Sequence, residues 1–484
     1  MKRVITYIFI GLAALSLSGC KDFLEKGPKL SQSSELTLST YSGLDKVTQG
    51  VYAYFGSLGW YGGERVLESE MRSGNGMKNA DHTSNRYNTE MNWNYLPEST
   101  SSMWALGYEA IAACNNVIDN LEGKDVGDVT VQDLNNLKAE CLFIRAFCHF
   151  DMVTLFALPY TYVKANEKTL NEKQKLGIPY VIHTDPAGTP ARDPVLEVYP
   201  KVVEDLLAAE EAIDPSYARS GVADKKAVVT LEAIQALLSR VYLYMGEWQK
   251  AADYATKVID SGKFELYTVE NYEKVWNQNT GGSEVIFENY IDLGNYSNEN
   301  PMYMCYPDGA YGDCICSAEL YNSYADGDIR KKLYCQDKNE TDGLWWTLKY
   351  KGKGLGNPDA NNTVILRLSE MYLNRAEAIV NGASIPGTTA VKDLNEVITN
   401  RGLAGLNSVG MDAIKSERRK ELAWEGHYFF DKARWGESVV RDLCYGMDPR
   451  YQNINFPDYR WALPIPKREL EVNANLKQND GYKE

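Results

Sequence analysis

The chain has 484 residues, a formal net charge of −15, 24% charged residues and 11% aromatic residues. That length suits two or three ordinary domains or one large helical superstructure with an irregular lobe, and the composition favours the second. The acid excess argues against a nucleic-acid partner, because binding would release no counterions. Four scattered histidines (His82, His149, His183, His427) and the absence of G-x-S-x-G, H-E-x-x-H and P-loop patterns leave nucleophile and phosphate chemistry unsignalled.

At the N-terminus Lys2 and Arg3 precede an apolar run from Val4 to Leu17, broken only by Thr6, Tyr7 and Ser16. The run is short for a span of about 20 residues and ends in Leu17-Ser18-Gly19-Cys20, so 1–19 reads as a secretory signal closing on a bacterial lipobox. Cys20 is then the lipid-bearing first mature residue. Each buried methylene contributes roughly 0.8 kcal/mol, so two or three acyl chains hold such a protein on a membrane durably. Residues 20–484 form the body, with an N-terminal repeat-containing part of about 21–260 and a C-terminal part of about 261–484.

Helical periodicity first runs through 103–121 and 132–157, whose apolar residues recur at three- and four-residue spacings. Pro159 and the polar stretch to Asn171 are expected to end that pair. The 197–213 block carries Val198, Val202, Leu206 and Ala209 on one stripe. In 230–262, Leu238, Tyr242, Gly246, Trp248, Ala251, Ala255 and Val258 match the spacing of a tetratricopeptide repeat, with Gly246 at the turn. One such unit buries its apolar face only by stacking, so 364–381 with 388–401 is read as more of the stack. The expected fold is mainly α, about four hairpins in a tetratricopeptide-like scaffold with a large loop-rich lobe.

The segments 56–100 and 264–363 are crowded with Gly, Asn, Tyr and Trp and read as long insertions with short strand-like runs such as Glu284–Glu288. Loops of that length tend to carry function. Cys114, Cys141 and Cys148 fall in helical patterns and read as core. Cys305, Cys314, Cys316 and Cys335 lack the paired knuckles of a zinc site, leaving one or two disulfides or free thiols.

The segment Glu417-Arg418-Arg419-Lys420-Glu421-Leu422-Ala423-Trp424-Glu425-Gly426-His427 gathers charge of both signs. A continuous helix would put Glu417, Glu421 and Glu425 on one face, suiting acid–base chemistry or a metal. Arg418, Arg419 and Arg434 supply opposite charge, so a partly buried ion-pair network is the better reading, with His427 structural.

This segment, followed by Phe429-Phe430-Asp431 and Arg434-Trp435-Gly436, closely resembles the most recognisable motif of the SusD/RagB family. Cys20-Lys21-Asp22-Phe23-Leu24-Glu25, Ala139-Glu140 through Arg145-Ala146-Phe147, Leu366 through Ala378, and Leu463-Pro464-Ile465-Pro466 through Asn479 are similar to further family segments. Phe156-Ala157-Leu158-Pro159-Tyr160 departs from the family's usual Tyr-Gly-Asp-Val-Pro-Leu, which bears on local loop geometry. The resemblance implies a non-catalytic outer-membrane lipoprotein facing the cell exterior. It implies a lid on a SusC-like TonB-dependent transporter, capturing oligosaccharide or, in an alternative reading, peptide. A surface glycosidase is the remaining reading from another class. No cofactor is implied, and a structural calcium ion stays open.

Sugar rings stack their C–H faces on Trp and Tyr, and 33 tyrosines and ten tryptophans against twelve phenylalanines favour such rings. Trp104, Trp248, Trp276, Trp424 and Trp435 lie in helical patterns and read as packing. The ligand-binding candidates are Arg72, Asn75, Asn92, Trp93, Tyr95, Tyr303, Tyr306, Tyr311, Trp345 and Trp346, with Trp93 foremost. Further loop residues of the same kind are Asn79, Asp81, Tyr290 and Tyr296. Thr347–Tyr350 after the tryptophan pair reads as a strand.

Overall fold

The computed structural model describes residues 37–80, 84, 86–98, 102–121, 129–292, 312–336, 344–353 and 360–483. Cys20, Asp81, Tyr296, Tyr303, Cys305, Tyr306 and Tyr311 lie outside these residues.

Eight helices pack in succession, each against the next: Tyr41–Phe55, Met103–Leu121, Val131–Phe156, Val195–Ala212, Leu231–Met245, Trp248–Asp260, Leu368–Val380 and Ala390–Asn400. Taken two at a time they are four hairpins, as the repeat pattern requires. Local chemistry sets their ends. Thr130 and Asp133 form a reciprocal capping box, and the Thr40, Thr230 and Thr389 side chains accept from backbone amides in the first turn of their helices. Gly246, at φ +70°, closes Leu231–Met245, and Glu247 N–H returns to Tyr242 O at 2.9 Å. A residue with a Cβ is strained there, which fixes the hairpin turn on glycine. Ala251 and Ala255 are fully buried, and Ser239 Oγ donates to Ala251 O at 2.9 Å across the close helix contact. The Val131–Phe156 helix is buried on nearly all sides from Asn136 onward and runs through the main core.

Several elements differ from the sequence expectation. The helical pair ends before Pro159 as expected, at Phe156 with an extended Ala157, but the following stretch is not all irregular. Pro159 is the N-cap of a short helix, Tyr160–Asn166, because a proline fixes φ without needing an amide acceptor. The block expected to be helical from 364 begins as a strand, Thr363–Arg367, paired antiparallel with Val285–Asn289. Its β-branched Thr363, Val364 and Ile365 suit that pairing. The 56–100 insertion contains a helix, Glu64–Ser73, ended by Gly74 at φ +88°. The strand expected over 347–350 reduces to Trp346–Thr347.

Among the described residues the lobe holds four two-stranded antiparallel pairs: Gly76–Lys78 with Cys314–Cys316, Val285–Asn289 with Thr363–Arg367, Tyr334–Cys335 with Trp346–Thr347, and Val439–Val440 with Asn453–Ile454. Cys114, Cys141, Cys148, Cys314 and Cys316 are buried free thiols, and Cys335 and Cys444 are half-buried free thiols. The disulfide alternative therefore does not hold for Cys314, Cys316 or Cys335. Among the described residues no single helix is long and apolar enough to cross a membrane, and no group of three metal-ligating side chains converges.

Candidate ligand platform

The charged C-terminal motif is a buried ion network, with partners other than those nearest in sequence. The Met411–Glu421 helix stops at Glu421, so Glu425 lies beyond it, within a turn in which its neighbours Trp424 and Gly426 take φ of +65° and +80°. Glu421 is fully buried and accepts from Arg401 at 2.7 Å, Arg367 at 2.6 Å and Arg330 at 3.0 Å. Arg367 and Arg401 also hold Glu284, at 2.9 and 2.6 Å. Arg330 reaches Glu417 at 2.5 Å, and Glu425 pairs with Lys349 at 2.6 Å. The adjacent Arg418 instead bonds Asp431 at 2.7 Å, Arg419 bonds Glu319 at 2.8 Å, and Arg434 bonds Glu377. The same cations clamp the turn: Arg367 donates to Glu421 O at 2.6 Å and Lys349 to Ala423 O at 2.8 Å. Burial pushes Glu421 upward, but Arg401 and Arg367 pull it further down, to well below the carboxylate range. His427 is buried, and desolvation followed by nearby arginines keeps it neutral. The carboxylates and cations of the motif are occupied by each other.

Arg72, Trp93 and Tyr95 are brought together, but inside the protein. The Arg72 guanidinium carbon lies 3.8 Å from the Phe429 ring centre, 5.0 Å from Trp93 and 5.1 Å from Tyr95. Trp93, only 1% exposed, packs edge-on to Phe429 and Trp461. Asn92 donates to Asn88 O and Gly446 O and accepts from Asp448 N–H, while Asn75 donates to Glu70 at 2.8 Å and accepts from Arg419 at 2.8 Å. The stacking and hydrogen-bonding roles expected of these five residues are corrected: burial leaves Trp93 no free face, and internal partners take up both asparagines.

Trp345 and Trp346 divide between two roles. Trp346 is buried, its indole N–H bonded to Gly312 O at 3.0 Å, and it packs structurally. Trp345 is half-buried and stacks on the half-buried Tyr321, with ring centres 3.8 Å apart and planes 14° from parallel. Lys331 Nζ lies 5.3 Å from the Tyr321 ring. The pair is fixed from below, where Cys316 N–H donates to Trp345 O at 2.7 Å, and Tyr334 meets Tyr321 edge-on. Cys316 also ends the strand paired with Gly76–Lys78, so segments near 76, 316 and 345 meet in one platform. On the side of Gly76–Lys78, Lys78 donates to Ser84 O and Asn88, while Ser84 and Arg86 both bond Asp313. The 46% exposed Tyr445 ring stands 5.7 Å from Lys78 Nζ. A half-exposed aromatic stack beside fixed polar groups is a surface that accepts a flat, hydroxyl-bearing ligand. Sequence reasoning missed Lys78, Arg86, Asp313 and Tyr445, because pairings across more than 220 residues bring them together, and it missed Tyr321 and Lys331, which no local pattern ties to Trp345.

Residues 22–243 match the sequence model of a family described as starch-binding and associating with the outer membrane, and residues 330–482 match that of the SusD family. A crystal structure of a SusD superfamily protein from Bacteroides thetaiotaomicron is 30% identical, superposes with a TM-score of 0.80, and covers 91% of this chain and 99% of its own. The chain belongs to the SusD family. The SusD-like protein P25 of Formosa agariphila is 24% identical over 99% of this chain and 98% of its own length. The starch-binding protein SusD of Bacteroides thetaiotaomicron is 24% identical over 82% of this chain and 81% of its own. Within this SusD-family chain the first matched region supplies Gly76–Lys78 and the second supplies Lys331, Trp345 and Trp346. The platform stands where the two regions meet, with Tyr321 from the segment between them.

Proposed function

We propose that this protein binds oligosaccharide at the Tyr321–Trp345 platform without chemically altering it and delivers it to a SusC-like TonB-dependent transporter. In this reading lipid on Cys20 holds the protein at the outer membrane, facing the cell exterior. The carrying observation is the parallel Trp345–Tyr321 stack, half-exposed and braced at 3.8 Å. A pyranose presents an apolar C–H face to such rings and hydroxyls to the flanking Lys331. The starch-binding description of the matched family and of one relative supports a glycan ligand. Binding without turnover agrees with the described carboxylates of the charged motif, which are held in ion pairs.

The test is calorimetric titration of the full chain, in a non-sugar detergent, with oligosaccharides from several polysaccharides and with mixed peptides. Saturable glycan binding with no hydrolysis, weakened by Trp345→Ala, is the expected result. Binding of peptide alone, or release of reducing ends, would overturn it.

A further inference from the structure

A second cleft, sharing no residue with the platform, lies between the Tyr41–Phe55 helix, the 219–228 loop and the Val285–Asn289 strand. Its volume of about 340 Å³ falls within the ~300–1,000 Å³ range of pockets that hold small molecules. The lining is mixed, with Ala53, Phe55, Val222 and Val228 apolar and Gln49, Asp224, Asn289 and Asp292 polar.

Asn289 is the telling residue. It is 5% exposed and lines the cleft, yet its amide nitrogen has no hydrogen-bond acceptor. A buried donor left in that state costs about 1–3 kcal/mol, a penalty that a ligand oxygen removes. Several of the neighbouring hydrogen-bonding groups are engaged. Tyr52 O–H serves Glu140 and accepts from Val229 N–H, and Arg219 is held by Glu140 and Asp45. Asp224 accepts from the Lys226 and Gly281 amides and Glu288 accepts from Asn362. Lys353 lies 3.9 Å from the Tyr290 ring centre and donates to Ile291 O. Arg219 is paired with Glu140 and Asp45, and Lys226 and Lys353 interact electrostatically with the acidic residues of the lining, so the charges around the cleft offset one another and favour an uncharged ligand. The orphaned donor calls for an acceptor, and the apolar lining residues call for C–H surface.

We infer that this cleft is a second binding site for one uncharged sugar ring, with a ligand oxygen accepting from Asn289 Nδ2 and the ring's C–H face on Ala53, Phe55 and Val222. The inference stands on the cleft's own chemistry and goes beyond the platform reading. Two sites on one lipoprotein would let a long glycan be held at both and gain by effective concentration.

The experiment is a titration of the full chain in non-sugar detergent with free glucose, galactose, mannose and fucose, followed by ligand-observed NMR. At least one sugar should saturate. Asn289→Leu should weaken it about tenfold, the loss of one hydrogen bond, while the unfolding midpoint stays equal or rises because an unpaired donor has been removed. Ala53→Trp, at an exposed helix position on the cleft edge, should abolish binding by filling the space. Trp345→Ala should leave it intact, so failure of the platform reading and of this one are told apart. The inference is overturned by no saturable monosaccharide, by binding that follows Trp345→Ala alone, or by affinity unchanged in Asn289→Leu and Ala53→Trp. A marked destabilisation by Asn289→Leu would equally overturn it, since the amide would then have an internal partner.

Discussion

Replacing Glu421 by glutamine removes one charge from the centre of the fold while keeping its shape. Glu421 is contacted by three guanidinium groups, those of Arg330, Arg367 and Arg401, at 2.6–3.0 Å, and all four side chains are buried. Breaking a buried pair costs about 3–5 kcal/mol, mostly from the partner left uncompensated. Here Arg367 retains Glu284 and Glu425, and Arg330 retains Asp328 and Glu417. The residual charge is thus shared, and about 3 kcal/mol, the low end, is the expected loss. Urea unfolding followed by tryptophan fluorescence measures it, since Trp276 lies 4.4 Å from Lys349 in the same network. Glu319→Gln is the control: it removes the exposed partner of Arg419 and should stay within about 0.5 kcal/mol of the parent. If Glu421→Gln matches Glu319→Gln, the network does not hold the C-terminal turn and the reasoning fails.

Stability should peak near about pH 5 in the same unfolding assay. Despite burial, Arg330 holds Glu417, Arg434 holds Glu377, and Arg401 with Arg367 holds Glu421 below the unfolded carboxyl value of about 4.3. Their contribution is complete above that value and is lost as pH falls through the folded pKa values. Burial instead raises Glu70 and Glu90 to about 7, so their contribution is lost as pH rises toward neutrality. A flat profile from pH 5 to 8 would contradict the burial assigned to Glu70 and Glu90. Trp93→Ala should cost about 3–5 kcal/mol as a core truncation while the folded fraction binds glycan with unchanged affinity; a selective affinity loss would return Trp93 to the ligand site. Among the described cysteines, native-state alkylation read by peptide mass spectrometry should mark Cys335 and Cys444 before Cys114, Cys141, Cys148, Cys314 and Cys316, and the reverse order would contradict the packing.

The repeat scaffold was legible because local rules set it: Gly246, the threonine caps and the Ala251–Ala255 stripe each act within one or two turns of helix. The Glu64–Ser73 helix was not legible, because its sequence ERVLESEMRS is polar on several faces and is buried only through partners far along the chain. The charged motif was read correctly as an ion network. Its partners were misassigned, since Arg330, Arg367 and Arg401 come from segments that no spacing links to Glu421. The burial of Trp93 was hidden for a related reason: a loop tryptophan has the same signature whether it faces solvent or, as here, Phe429 and Trp461. Trp345 was named from sequence, but its stacking partner Tyr321 sits in the short helix Ala318–Ser323 and carried no pattern of its own.

The most direct test of glycan binding at the platform is calorimetric titration of the parent protein, Trp345→Ala and Tyr321→Ala with whichever oligosaccharide the parent binds. Losing one stacked ring should cost about 1 kcal/mol or more, hence at least about a fivefold weaker Kd in each variant with the unfolding midpoint little changed. Equal affinity in all three proteins would contradict the assignment of the platform.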